Sequence, residues 1–216
     1  MSKSIPFLLI SLVLSLLTTP RVEAQTTILF EGFEDPDAFA TNWVVGSVWE
    51  GEEDSIWGVV DRQFGSVNTR TGNNKLYCSA FKVNGLPGWT GKASAPRYPD
   101  EMWTYISRDI DLQDYKAATL TLWYHNKVFP GNDDEMPEFF SDMMTIYIDD
   151  EPVYSTDWDD EQTKSWVRIT INLEDYVGTV CNLRIEFESD FYGQEDGVAA
   201  GEGIYIDDVL ITGYKS

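Results

Sequence analysis

The feature that most constrains this chain is the alternation in Leu183-Arg184-Ile185-Glu186-Phe187-Glu188, where every second residue is apolar and the intervening ones are charged. Successive side chains of a strand point to opposite faces, so such a segment buries one face and leaves the other in water. Short β-branched and aromatic runs recur from Ile28 onward, separated by Gly, Pro, Asn and Asp, while helical periodicity is nearly absent. These runs predict strands at 27–30, 57–60, 76–80, 104–108, 118–124, 144–148, 151–155, 166–172, 181–189 and 203–212. Leu120, Leu122 and Tyr124 share one face of their run, and Thr119, Thr121 and Trp123 share the other, as in a strand inside a sheet. Asp149-Asp150 reads as a tight hairpin turn, because acidic residues tolerate the unusual backbone angles it needs. The expected fold is all-β, a sandwich of two antiparallel sheets.

The N-terminus reads differently. Lys3 precedes an uncharged, largely apolar run over 5–17, and Val22-Glu23-Ala24 places small or β-branched residues where a signal peptidase reads. The run is shorter than the roughly 20 residues needed to span hydrocarbon. The expectation is therefore a signal peptide at 1–24, cleaved before Gln25, and one domain over 25–216, in a secreted or cell-surface protein. A hydrophobic content of 43%, with 14% aromatic, supplies the core of that domain despite its acidity. A formal charge of −22 argues against nucleic acid and anionic lipid as partners, since both need Lys and Arg. It leaves two readings of the acids, a solvated surface or carboxylate clusters that hold calcium. Cys78 and Cys181 are the chain's two cysteines, and they either pair as a disulfide or sit as two buried thiols in separate strands.

Catalytic signatures are missing. His125 is the only histidine, which excludes His-based zinc and iron sites, and it falls in a strand, where hydrogen bonds satisfy it. Neither a Gly-x-Ser-x-Gly elbow nor a phosphate-cradling loop occurs. Carboxylates suit calcium better, which takes six to eight hard oxygens. Candidates are Glu31, Glu34, the run Glu52-Glu53-Asp54, Asp142 and Asp207-Asp208. Adjacent acids of a strand point to opposite faces, so one of Asp207 and Asp208 faces inward, and with few cations in the chain calcium is preferred there over a salt bridge. Three stretches, 81–102, 127–141 and 191–202, read as long loops of the kind that often carry function. Trp89, Tyr98 and Trp103 lie in or beside the first, where they either stack on a ligand or cap the core.

The segments Ile28-Leu29-Phe30-Glu31-Gly32-Phe33-Glu34 with Trp43, Asp54-Ser55-Ile56-Trp57-Gly58-Val59-Val60, and Leu76-Tyr77-Cys78-Ser79 come in an informative order. They are followed by Leu120-Thr121-Leu122-Trp123-Tyr124-His125, Asp142, Trp166 with the stretch 173–178, Ser189-Asp190 and Ile204-Tyr205-Ile206-Asp207-Asp208-Val209. Together they resemble the jelly-roll accessory domain of immune inhibitor A-like secreted metallopeptidases, related to MAM domains and to the cleaved adhesin domains of gingipain-type proteins. The resemblance implies a concanavalin-like jelly roll with structural calcium and an adhesion or accessory role without peptidase activity. It implies calcium ligands at Glu34, Asp54, Asp142 and Asp207, with Glu31 as a substitute in the first position.

The leading expectation is a calcium-stabilised module that binds a protein or glycan at the cell surface or in the matrix through Trp89, Tyr98 and Trp103. Two alternatives stand beside it. One is a small secreted carbohydrate-active enzyme using a carboxylate pair, and the other a self-assembling extracellular structural protein.

Overall fold

The computed structural model describes residues 24–48, 55–83, 86–87, 98, 102–128, 142–156, 162–189 and 201–216. The chain runs β1 (Thr26–Glu31), α1 (Pro36–Asn42), β2 (Val44–Ser47), β3 (Ser55–Asp61), β4 (Asn74–Val83), β5 (Leu86–Pro87), β6 (Trp103–Asp111) and β7 (Tyr115–Lys127). It continues through β8 (Met143–Ile148), β9 (Glu151–Ser155), β10 (Val167–Asn172), a short 3-10 turn at Glu174–Tyr176, β11 (Val180–Glu188) and β12 (Gly203–Lys215).

These strands form two antiparallel sheets. The larger has the order β10-β7-β12-β4-β3, with β1 beside β12 and β5 beside β4, and the smaller has the order β2-β6-β11-β8-β9. The chain crosses repeatedly from one sheet to the other, the wrapping of a jelly-roll sandwich. Between the sheets lie Leu120, Leu122, Ile206 and Val209 of the first and Ile106, Ile146, Leu183, Ile185 and Phe187 of the second, all buried. Trp57 is fully buried and joins the layers, its Nε1 donating to the Thr104 carbonyl at 3.3 Å.

All ten predicted strands are present, and β7, whose two faces read as apolar and mixed, sits between β10 and β12. Asp149 and Asp150 take φ of 51° and 67°, the left-handed pair that a two-residue hairpin requires. Three elements were not legible as periodic runs. β2 has four residues, β5 has two, and α1 has seven. α1 does carry a local signal, since the Asp35 side chain accepts from the amides of Asp37 and Ala38 and Pro36 opens the first turn. The expected loop 81–102 starts later than predicted, because β4 continues to Val83 and pairs with β5. Most of the three expected loops, together with the expected signal segment up to residue 23, lies outside the described residues. Among the described residues no helix is long and apolar enough to cross a membrane.

The two outer faces differ. The seven-stranded sheet is partly roofed by residues 62–73, whose Phe64 ring lies 4.9 Å from that of Tyr77 and whose Asn68 carbonyl accepts from Trp166 Nε1 at 3.0 Å. Among the described residues, the outward surface of the five-stranded sheet is that of its own strands.

Candidate functional site

The outward side chains of the five-stranded sheet form an ordered array. Strand register puts Tyr105, Glu186 and Thr145 in one row across β6, β11 and β8, and Ser107, Arg184 and Tyr147 in the next. Trp103 stands opposite Glu188 at the end of the face. Neighbouring strands are about 4.8 Å apart and same-face residues about 7 Å apart along a strand, so the rows tile a broad patch.

Glu186 is the informative member. The alternation along β11 places it on the wet face, yet it is 5% exposed. Trp103 Nε1 donates to its Oε2 at 3.2 Å, and Arg184 Nε lies 3.0 Å from its Oε1. The same guanidinium sits 4.8 Å over the Tyr147 ring and reaches Asp150 at 3.2 Å. Burial, followed by the charge of Glu186, pushes the Tyr147 phenol above its ordinary range. The same two causes raise the Glu188 carboxyl. Around them lie the Thr145 and Ser155 hydroxyls, 3.0 Å apart, and Asn182, whose amide donates to Asp109 at 2.8 Å. Aromatic faces set among fixed hydroxyl, amide and carboxylate groups are the composition of a site that orients a small polar ligand.

The predicted ligand-stacking residues divide. Trp103 belongs to this face. Tyr98 does not: it is 2% exposed, its ring meets Phe187 edge-on at 5.2 Å, and its hydroxyl donates to Asp142. Its expected role as a ligand contact gives way to the alternative, capping the core, because an amphipathic ring buries its body when its hydroxyl finds an acceptor. Trp89 lies outside the described residues. Tyr105, Tyr147 and Glu186 were missed by sequence reasoning, although Glu186 stood in plain view in the alternating run.

The predicted metal set is dispersed. Glu31 accepts the amide of Phe33 at 2.8 Å and Trp43 Nε1 at 3.3 Å, and it thereby holds Phe33 at a φ of 58°. Glu34 accepts the amides of Asn73 and Asn74 at 2.9 and 3.0 Å, beside Gly72, where a Cβ would stand 2.1 Å from its Oε1. Asp207 is fully buried and accepts the amides of Arg70, Thr71 and Asp208 at 2.8, 3.2 and 2.8 Å. Asp142 lies at Tyr98, and Asp54 lies outside the described residues. Among the described residues no group of three or more His, Cys, Asp and Glu comes together to hold a metal. The oxygens of Glu34 and Asp207 face N–H dipoles, which favour an anion and repel a cation. The described part of the set does not fit calcium.

Preference for calcium over a salt bridge at Asp207-Asp208 is also corrected. β12 bulges against β7 between Asp207 and Leu210, and Asp208 takes a φ of 50°. The extra residue turns both carboxylates toward the same loop. Asp208 pairs with Arg70 and accepts the Thr71 hydroxyl at 2.7 Å.

Cys78 and Cys181 are free, buried thiols, so the disulfide alternative falls. Cys78 packs against Gly203 beside Tyr98, whose ring meets Phe187. Cys181 lies six residues back along β11, about 20 Å at strand rise, whereas a disulfide needs Cα atoms within about 7 Å. His125 is satisfied as expected, with Nδ1 2.9 Å from the Thr163 hydroxyl and its ring edge-on to Trp166.

No protein-family model matches the chain, and no curated protein is recognisably similar to it. Among solved structures it is similar to the K1 cleaved adhesin domain of Lys-gingipain from Porphyromonas gingivalis W83, at 16% identity and a TM-score of 0.46 over 86% of this chain and 97% of that one. The mannan-recognising carbohydrate-binding module TmCBM27 aligns at 14% identity and 0.44 over 89% and 99%. The CBM22-1 xylan-binding domain of Paenibacillus barcinonensis Xyn10C aligns at 14% and 0.42 over 90% and 98%. The fold assignment rests on the strand topology described above. Cleaved adhesin domains, which the sequence resemblance names, are among these neighbours.

Proposed function

We propose that this protein is an exported, non-catalytic binding module that takes a neutral glycan on the outer face of its five-stranded sheet. The observation that carries the reading is the burial of Glu186 on the face that strand alternation assigns to water, with Trp103, Arg184 and Tyr147 built around it. A carboxylate is costly to bury and is retained where it positions other groups. Here it fixes the indole of Trp103 and the guanidinium that covers Tyr147, which leaves ring surface and hydroxyls in set places. Sugars present an apolar C–H face and a rim of hydroxyls, and this patch offers a partner for each. Glu186, Glu188 and Asp109 make the patch unfavourable for anionic sugars. Export follows from the expected signal segment, and the net charge of −22 agrees with a role away from nucleic acid and anionic membranes.

The test is calorimetric titration of the chain from Gln25 with neutral oligosaccharides, mannan-, xylan- and galactan-derived among them, beside Trp103→Ala and Tyr147→Ala. Binding by the wild type that each variant weakens by roughly tenfold or more supports the reading, since buried aromatic anchors dominate such interfaces. Retained affinity in both variants rejects this face. Release of new reducing ends that Glu186→Gln or Glu188→Gln abolishes would replace the binding module with the carboxylate-pair enzyme.

A further inference from the structure

The seven-stranded sheet carries a recess on the opposite side of the molecule. It is a groove of about 390 Å³ whose floor is Thr121 and Trp123 of β7 and Leu210 of β12, with Phe30 of β1 on one side and Arg168 of β10 on the other. Strand pairing fixes this layout, because Arg168 lies directly across from Trp123, and Leu210 lies across from both Thr121 and Phe30. Arg70 closes the end of the groove, its guanidinium 4.1 Å above the Trp123 ring and paired to Asp208.

Two properties of the groove call for a ligand. Phe30 is 60% exposed, an apolar ring in water at the rim of a concavity. Arg168 is exposed, and its guanidinium has no ionic or hydrogen-bond partner among the described residues, in a chain with 37 acidic and 15 basic residues. The lining carries Arg70, Arg168 and Asp208, hence one net positive charge on a molecule of formal charge −22. A free guanidinium presents a planar fork that matches a carboxylate in two parallel hydrogen bonds. Across the groove, three strands away, the Phe30 ring offers a flat apolar surface to a further part of the same ligand.

The geometry points to a second ligand site in this groove, which takes the carboxylate of an acidic sugar on Arg168 and the ring face of a neighbouring sugar of the same oligosaccharide on Phe30. The site is independent of the glycan face on the other sheet and has the opposite charge preference. A chain with both would bridge a neutral and an acidic polysaccharide, one on each side of the sandwich.

The experiment titrates the chain from Gln25 with glucuronate and with trigalacturonate in EDTA, so that no divalent ion bridges carboxylates, at low and at moderate salt. Competitors are glucose, acetate and inorganic phosphate. The expected result is trigalacturonate binding that weakens with salt, falls at least roughly tenfold in Arg168→Gln and in Phe30→Ala, and is unchanged in Trp103→Ala. Both groove residues are exposed, and unchanged unfolding temperatures would show that the variants fold. Absence of uronate binding overturns the site, as does binding that survives Arg168→Gln or is lost in Trp103→Ala. Competition by phosphate as strong as by glucuronate overturns the sugar assignment. Failure here leaves neutral-glycan binding on the other sheet untouched, so the two readings fall separately.

Discussion

Tyr105 lies flat across Gly46: a Cβ placed on Gly46 would stand 2.8 Å from both Cζ and Oη of the tyrosine ring. β2 pairs with β6 at this point, so the absence of a side chain on one strand determines how the ring on its neighbour lies. Gly46→Ala is expected to leave the fold intact, because the atoms in conflict are the outer end of a side chain that can swing away. It should weaken neutral-glycan binding roughly 3- to 10-fold through the displaced ring. Titration of the variant alongside its unfolding temperature separates the two effects. A loss of stability with unchanged affinity would remove Tyr105 from the site.

Cys78 Sγ accepts the amide of Ile204 at 3.2 Å inside the core, and burial pushes this thiol far above its ordinary range. The Cys181 thiol is raised to about 11 by the same cause, with the charge of Asp149 adding to it. Both are inert as nucleophiles in the folded state. A thiol reagent should therefore label neither in the native protein and both after unfolding without reductant, and reductant should leave the unfolding temperature unchanged. One reducible cross-link per chain, or labelling of the unfolded chain only after reduction, would restore the disulfide.

The strand pattern was legible because burial on one face writes itself as a period of two, and β7, β11 and β12 are long enough to show it. α1 and β2 were not, since seven and four residues give a periodic signal no room. The acids were legible as a group and misread one by one. Sequence shows that Asp207 and Asp208 are adjacent, but the bulge that sends both to one loop depends on a register with β7 that is set by the whole sheet. The same limit applies to Glu186, whose neighbours Trp103 and Tyr147 come from two other strands.

Lys75 is fully buried, its Nζ donating to the carbonyls of Asp61 and Phe64 at 3.1 and 2.9 Å and lying 5.1 Å over the Tyr205 ring. Desolvation lowers this amine to about 8, against the opposing charges of Asp61, Asp207 and Glu202. Between about pH 8 and the ordinary lysine value near 10.5 the unfolded chain binds a proton that the folded chain has released. Stability attributable to Lys75 should therefore rise with pH across that window. Lys75→Met should lose this rise, and denaturant titrations of the two proteins at pH 8 and 10 would show it as a difference in slope. Equal slopes would mean that the amine is solvated.

The amides of Arg70, Thr71, Asn73 and Asn74 already occupy the oxygens of Asp207 and Glu34. Any rise in unfolding temperature between EDTA and millimolar calcium should therefore be the same in the wild type and in Asp207→Asn, with the ion held by other acidic residues. A calcium-dependent rise that the substitution removes would place the ion on Asp207 and require the loop at 70–74 to open around it.

Asp207 also carries a pH signature. Burial raises its carboxyl to about 6, and the nearby charge of Asp208 adds to this, while the amides of Thr71, Arg70 and Asp208 oppose the rise. An acid whose folded value lies above its unfolded one holds its proton longer in the folded state, so its contribution to stability is complete below about pH 4 and is lost as pH climbs through 6. Near two pH units, the loss is on the order of 2 to 3 kcal/mol, at about 1.4 kcal/mol per unit. Asp207→Asn keeps an acceptor oxygen for the Arg70 and Thr71 amides and removes the titration. The difference in unfolding free energy between variant and wild type should therefore grow in favour of the variant from pH 4 to 6.5 and level off above. A difference that stays flat across this range would show that Asp207 is ionised throughout, with the three amides outweighing its burial.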